Sequence, residues 1–200
     1  MYNEILFFPT IIAGRLYCRF KGVRFGANLI TFGMPLIHRH PSAEIVLGDD
    51  VVLTSSSRVN LAGVRGLVIL AAPNASSRIR IGSHSGLSGA VIYAASSVTI
   101  GDHVNIGVNV SIYDSDIHPI DYKARRAGAK DKIISQPVVI EDDVWVGAGS
   151  IILKGARIGR GAVIGAGSVI TGNVPPFTIW AGNPAKYIKD IRYEDDTIRA

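Results

Sequence analysis

Residues 140–174 read IEDDVWVGAGSIILKGARIGRGAVIGAGSVITGNV, and a six-residue rhythm runs through them. Ile140, Val146, Ile152, Ile158, Ile164 and Ile170 stand six apart without a break. Four residues after each comes Val144, Ser150, Ala156, Ala162, Ser168 or Val174, all small or β-branched. Gly147, Gly159 and Gly165 directly follow an aliphatic residue. The chain holds 27 Ile and 19 Val, 46 of 200 residues. Six consecutive hits from that composition have odds on the order of one in several thousand per starting point, so this is a repeat. The rhythm recurs upstream at Ile100, Ile106 and Ile112, with Val104, Val110 and Asp116 four further on. It recurs again at Ile81, Leu87 and Tyr93, and weakly at Leu47 and Leu53. Between Tyr93 and Ile100 the register slips by one residue.

A period of six suits neither a helix nor an alternating strand. It suits a parallel β-helix, an all-β solenoid in which each hexad supplies one short strand and one turn. The aliphatic residue points inward and stacks on its counterpart one coil away, and three hexads close a triangular coil of roughly 18 residues. Composition agrees: 48% hydrophobic but only 18% charged, with 22 Gly, fits a long thin core with much backbone in turns. The net charge of +5 suggests an anionic ligand or polyanion. Without a basic helix or a stacking aromatic platform it does not indicate nucleic acid. One cysteine, Cys18, excludes an internal disulfide and fits a reducing compartment, so the expected location is cytoplasmic.

The chain is expected to divide into a cap or lead-in over 1–40, a β-helix over 41–178 that is irregular between Arg58 and Arg78, and a tail over 179–200. That tail has helical character at Ala185 to Ile191. Within the solenoid, His118 to Pro137 breaks the rhythm and carries Lys123, Arg125, Arg126, Lys130 and Lys132. A long loop in a regular repeat is commonly functional. Ile5 to Leu16 is apolar but too short to span a bilayer, and no basic stretch or clear cleavage site marks a secretory signal. It reads as a helix covering the open end of the solenoid. A second reading, from Arg15, Arg19, Lys21 and Arg24, is a peripheral contact with the inner face of a membrane.

Together, the hexads, Ile112-Tyr113-Asp114-Ser115-Asp116-Ile117-His118-Pro119, Val144 to Gly149 and the closing Ala181-Gly182-Asn183-Pro184-Ala185-Lys186 resemble the hexapeptide-repeat acyltransferases. The branch is that of the sugar O-acetyltransferases, including galactoside and maltose acetyltransferases and polysaccharide-modifying relatives. The likeness covers about 80 to 190. It implies a left-handed β-helix, a homotrimer with sites between subunits, and acetyl-CoA as donor. It also matches His118 to the family's catalytic histidine, a general base that removes the proton of an attacking sugar hydroxyl. No acyl-enzyme is expected. Asp114 and Asp116 could hold acceptor hydroxyls or orient the imidazole, or simply make turn hydrogen bonds. Ser88 lies near an acceptor-contacting position.

Ala148, Ala166 and Thr171 match CoA-contacting positions where a large side chain would block the pantetheine arm, although corners also need small residues for packing. Trp145 could stack near the cofactor or fill a subunit interface. Lys186 and Lys189 match basic residues that meet CoA phosphates. A metal-dependent branch of this fold, the γ-class carbonic anhydrases, needs a closely spaced histidine that His84, His103 and His118 lack, so no metal is expected. His38 and His40 read as surface residues. Acetylation of a sugar hydroxyl, in a surface polysaccharide or its precursor, is the leading expectation. An amine acceptor, serine, an antibiotic, or a non-catalytic scaffold are the alternatives. The basic loop tilts the acceptor towards an anionic or lipid-linked glycan.

Overall fold

A short strand buries one side chain per hexad, and the only partner able to cover it is the same position in the next coil. Stacked this way, the strands form three sheets, parallel but for the last strand of the second, the faces of a triangular prism. A first sheet of seven strands runs from Arg24–Phe25 to Asn173–Val174. A second of eight runs from Ile30–Phe32 to Ala185–Asp190, and a third of six from Leu36–Arg39 to Val169–Ile170. This is a left-handed parallel β-helix, contrary to the usual right-handed crossover. The computed structural model describes residues 2–191.

Register bears out the repeat except at Tyr93, where Ile92 takes the inward position and Tyr93 pairs with Tyr113. Ile81, Ile100, Ile140, Ile158 and Val174 pair in succession on the first face. Leu87, Ile106, Val146, Ile164 and Trp180 do so on the second. Ile92, Ile112, Ile152 and Ile170 follow on the third. Nearly all of these side chains are fully buried. At about 25 cal/mol per Å² of apolar surface, such columns carry most of the folding drive. Gly147 shows how tightly coils approach: a Cβ there would meet the Ala166 N at 2.5 Å and the Ile164 O at 2.7 Å.

The solenoid begins earlier than the rhythm suggests. Residues 24–39 already form one strand of each sheet, with Phe25 beside Leu47, Thr31 beside Leu53 and Ile37 beside Leu70. Phe25 and Thr31 hide the hexad signal there, because neither is aliphatic. The helix Tyr2–Phe20 lies against this first coil. Ile11 and Cys18 are buried in the contact, Gly14 lies against Thr31, and Arg15 donates to the Leu29 carbonyl at 2.6 Å.

The C-terminal segment is a strand rather than the expected helix. Ala185–Asp190 runs antiparallel to Thr178–Gly182. The last strand of the second sheet would otherwise expose a row of unpaired backbone groups, and the chain turns at Asn183-Pro184 to satisfy them. Residues 192–200 of the expected tail lie outside the described residues.

Candidate active site

Two departures from the repeat lie on two different edges of the prism. Residues 114–137 leave the edge between the third and first faces, after Ser111–Tyr113 and before Val138–Ile140. Residues 55–68 leave the edge between the second and third faces, after Val52–Thr54.

The first excursion is fastened at its base by backbone bonds. The Gln136 N–H donates to the Asp114 carbonyl at 2.8 Å, and the Asp116 N–H to the Ile134 carbonyl at 3.1 Å, around a Ser115–Ser135 bridge. Inside it lie the helix Tyr122–Arg126, N-capped by Asp121, and a 3₁₀ turn at Lys130–Lys132. His118 stands where the chain turns away from the solenoid. Ile117 before it has φ 63°, the His118 N–H donates to the Asp116 carbonyl at 2.6 Å, and the imidazole is exposed. A β-branched residue in the left-handed region is costly, so the surrounding bonds must hold it.

Asp116 does not face open solvent. Its Oδ1 meets the Lys154 Nζ at 2.6 Å, and its Oδ2 is buried without a hydrogen-bond partner among the described residues. Lys154 follows Ile151–Ile152, one coil along the same edge. It was not among the residues singled out from the sequence. The hexad pattern gave no signal for it, since the same position holds Asp142 and Arg160 as well as Ala148, Ala166 and Gly172.

Asp114 is committed to the fold. It is fully buried and accepts from the N–H groups of Ala95, Ser96 and Ser97 at 2.7, 2.7 and 2.6 Å. That turn takes up the irregular spacing between the inward residues Ile92 and Ile100. Burial pushes the Asp114 carboxyl above its ordinary value, while the three backbone N–H groups pull against that rise. Its chemistry matches the turn-bonding alternative, not acceptor binding.

Ser88, Ala148 and Ala166 lie on or beside the other edge. Ser88 accepts from the Asn60 amide at 3.0 Å. With Asn60, Asn105 and Trp145 it lines a groove of about 390 Å³, into which Trp145, 56% exposed, projects from the second face. Asn109 holds the second excursion, accepting from the Arg65 N–H at 2.9 Å and donating to the Gly63 carbonyl at 2.8 Å. Ala148 lines the adjoining groove of about 510 Å³ with Arg65 and Asn109. Ala148 and Ala166 are exposed, whereas Ala156 and Ala162 are buried. Packing within the chain therefore requires small residues at 156 and 162 but not at 148 and 166. Asn60 and Arg65 escaped the sequence reading because 58–78 shows no periodicity; Asn105 and Asn109 escaped it because the hexad pattern marks inward positions and says nothing of the outward ones.

Thr171 returns to the first excursion's edge, two coils on, and shares a cavity of about 230 Å³ with Lys186. Lys189 faces a separate groove with Tyr187 and Asp190. His118 lines none of these four grooves. The site residues thus fall into two sets on two edges, with the third face between them. A single chain does not bring His118 to Ser88, Trp145 or Ala148.

The remaining candidates are accounted for locally. His84 stacks on His103 at 4.8 Å, and its Nδ1 lies 3.4 Å from Asp50, at the edge between the first and second faces. Among the described residues no cluster of three His, Cys, Asp or Glu is arranged to hold a metal ion. Burial pushes the Cys18 thiol up to about 11, which keeps it protonated and unreactive near neutral pH.

The repeats match two known patterns: the bacterial transferase hexapeptide (six repeats) over residues 137–172 and the hexapeptide repeat of succinyl-transferase over 97–115. The chain is 38% identical over 98 residues to the galactoside O-acetyltransferase of Lactococcus lactis, covering 49% of this chain and 45% of that protein. It is 39% identical, with TM-score 0.53, to a Vibrio cholerae hexapeptide-repeat acetyltransferase solved with acetyl coenzyme A, covering 57% of this chain and 61% of that one. This chain is a relative of the hexapeptide-repeat acetyltransferases. A maltose O-acetyltransferase from Clostridium difficile is also 39% identical, with TM-score 0.51, over 57% of this chain and 60% of its own. An amine-acetylating relative is equally evident. The 2,3,4,5-tetrahydropyridine-2,6-dicarboxylate N-acetyltransferase of Ligilactobacillus salivarius is 52% identical over 71 residues, 36% of this chain and 30% of that protein. The chain spans about half, or less, of the length of these curated relatives.

Proposed function

We propose that this hexapeptide-repeat protein transfers an acetyl group from acetyl-CoA to a sugar hydroxyl of a surface polysaccharide or its precursor, with His118 as general base. The reading is carried by His118 itself: an exposed imidazole presented by a braced turn at the point where the repeat is interrupted. In the step proposed, the imidazole takes the hydroxyl proton as the oxygen attacks the thioester carbonyl. A backbone N–H stabilises the oxyanion, the C–S bond breaks, and the imidazolium returns a proton to the CoA sulfur. Asp116, clamped by Lys154, fixes the turn that aims His118.

The two separated edges support a site completed by a neighbouring copy. In a homotrimer the excursion of one subunit would lie over the Ser88–Trp145 groove and the Ala148–Ala166 ridge of the next. The exposed alanines leave room along that ridge for the pantetheine arm, and Thr171, Lys186 and Lys189 would meet the rest of CoA. The likeness to an N-acetyltransferase supports one second reading, an amine acceptor at the same site. An acetyl-CoA donor supports a cytoplasmic reaction.

The test is thiol release from acetyl-CoA against a panel of sugars, amino sugars and serine, with His118→Ala alongside. Release with a hydroxyl sugar, reduced about 10²–10⁴-fold in the variant, is expected. Release with amines alone selects the second reading, and unchanged turnover in the variant removes His118 as the base.

A further inference from the structure

From Pro9 to Phe20 the N-terminal helix buries one side and leaves the other bare. Ile11, Gly14 and Cys18 face the first coil. Ile12, Leu16 and Phe20 are 43%, 62% and 86% exposed. At 100° per residue these three form a single stripe on the opposite side of the helix. Large apolar side chains in an ordered exposed row mark a contact surface rather than chance.

Charge identifies what that surface meets. Between Glu4 and Glu44 the sequence contains no acidic residue, while Arg15, Arg19, Lys21, Arg24 and Arg39 all fall there. Among the described residues most of these cations meet no carboxylate. The Arg19 guanidinium lies over the Phe25 ring at 5.2 Å and the Lys21 ammonium over the Tyr17 ring at 5.7 Å. Arg15 and Arg39 donate to backbone carbonyls. Among the described residues, Arg24 alone of these five meets a carboxylate, that of Glu44. One end of the solenoid is therefore an apolar stripe set among uncancelled positive charge. Among the described residues no helix is long and apolar enough to cross a membrane.

We infer that this end docks on an anionic lipid surface, with Ile12, Leu16 and Phe20 entering the headgroup boundary and Arg19 and Lys21 meeting lipid phosphates. The docking is independent of acetyl transfer. It would place the solenoid beside acceptors that are themselves membrane-bound.

Co-sedimentation of the full chain with vesicles tests it, comparing pure phosphatidylcholine with the same lipid containing about one-third phosphatidylserine. The wild type is expected to bind the anionic vesicles, and to lose binding at high salt. Arg19→Gln/Lys21→Gln should weaken partition about 25-fold, at roughly fivefold per cation. Leu16→Glu/Phe20→Glu should weaken it by about tenfold or more. Both pairs are surface changes, so unchanged circular dichroism and melting would confirm that the fold is intact. Equal binding to neutral vesicles, or binding indifferent to Leu16→Glu/Phe20→Glu, would overturn the inference. So would absence of vesicle binding with a drop in oligomer size for that variant, because the stripe would then be covered by a second copy of the chain.

Discussion

Replacing Asp114 by Asn separates a structural carboxylate from an acceptor-binding one. The wild-type side chain accepts three backbone N–H groups, Ala95 on Oδ1 and Ser96 and Ser97 on Oδ2. Asparagine has one acceptor oxygen, so its amide NH₂ must face at least one of these donors. Hydrogen bonds to a charged group contribute about 1.5–3 kcal/mol each, and the easier burial of a neutral amide offsets part of that loss. The expected net loss is about 2–3 kcal/mol, or roughly 4–12 °C in melting temperature for a domain of this size. Thermal and urea unfolding measure it. Acetyl transfer, assayed well below the melting range, should keep its KM for the acceptor.

Acidification adds a second readout. Because burial raises the folded-state value of Asp114 above its ordinary 3.8, the native state takes up the proton first. Stability then falls as pH rises through the interval between the unfolded and folded values. The wild type should therefore gain on Asp114→Asn as pH drops through that interval, with the gap constant below it. A variant of unchanged stability with an acceptor KM raised tenfold would refute the assignment and return Asp114 to the acceptor. A gap that closes on acidification would show that the three N–H groups outweigh burial.

Three further substitutions probe the clamp, the ridge and the core. Lys154→Met removes the partner of Asp116 and should cost about 1–2 kcal/mol, below the range for a fully buried pair because both side chains are a fifth to a quarter exposed. Limited proteolysis should then cut faster among Lys123 to Lys132 and kcat should fall, with Lys154→Arg restoring both. Ala166→Leu adds bulk to an exposed corner, so melting should stay within a few degrees while the KM for acetyl-CoA rises at least about tenfold. An unchanged KM would remove Ala166 from the donor site. Ile152→Ala, in the fully buried column between Ile112 and Ile170, should cost about 3 kcal/mol in urea unfolding; a loss under about 1 kcal/mol would contradict the column's role.

What was legible in the sequence was whatever the repeat itself writes. Ile140 to Val174 specify coil, register and inward face, because every hexad obeys one packing rule. The first coil was missed where Phe25 and Thr31 occupy inward positions that elsewhere hold Ile, Leu or Val. The strand Ala185–Asp190 was read as a helix because its pairing is set by an open sheet edge far from any local periodicity. His118 stood out because it interrupts the pattern. Lys154 did not, because its meaning depends on a carboxylate 38 residues earlier in the chain.

The irregular parts of this molecule have little core of their own, and the solenoid supplies their rigidity through single polar side chains. Within the first excursion, the helix and the 3₁₀ turn contain no buried residue. Its base is pinned by backbone bonds, by Lys154 from the next coil, and by an Asp114 whose carboxylate grips the preceding one. The second excursion hangs on Asn109 and on the Asn60–Ser88 bond. A repeat with one stacking rule cannot by itself produce a unique catalytic point. It can provide fixed anchors at regular spacing along an edge, and a loop tied to two or three of them inherits their precision. On this view, the residues that matter after His118 are those that tie its turn to the coils, which is why Lys154→Met should lower turnover without touching either substrate.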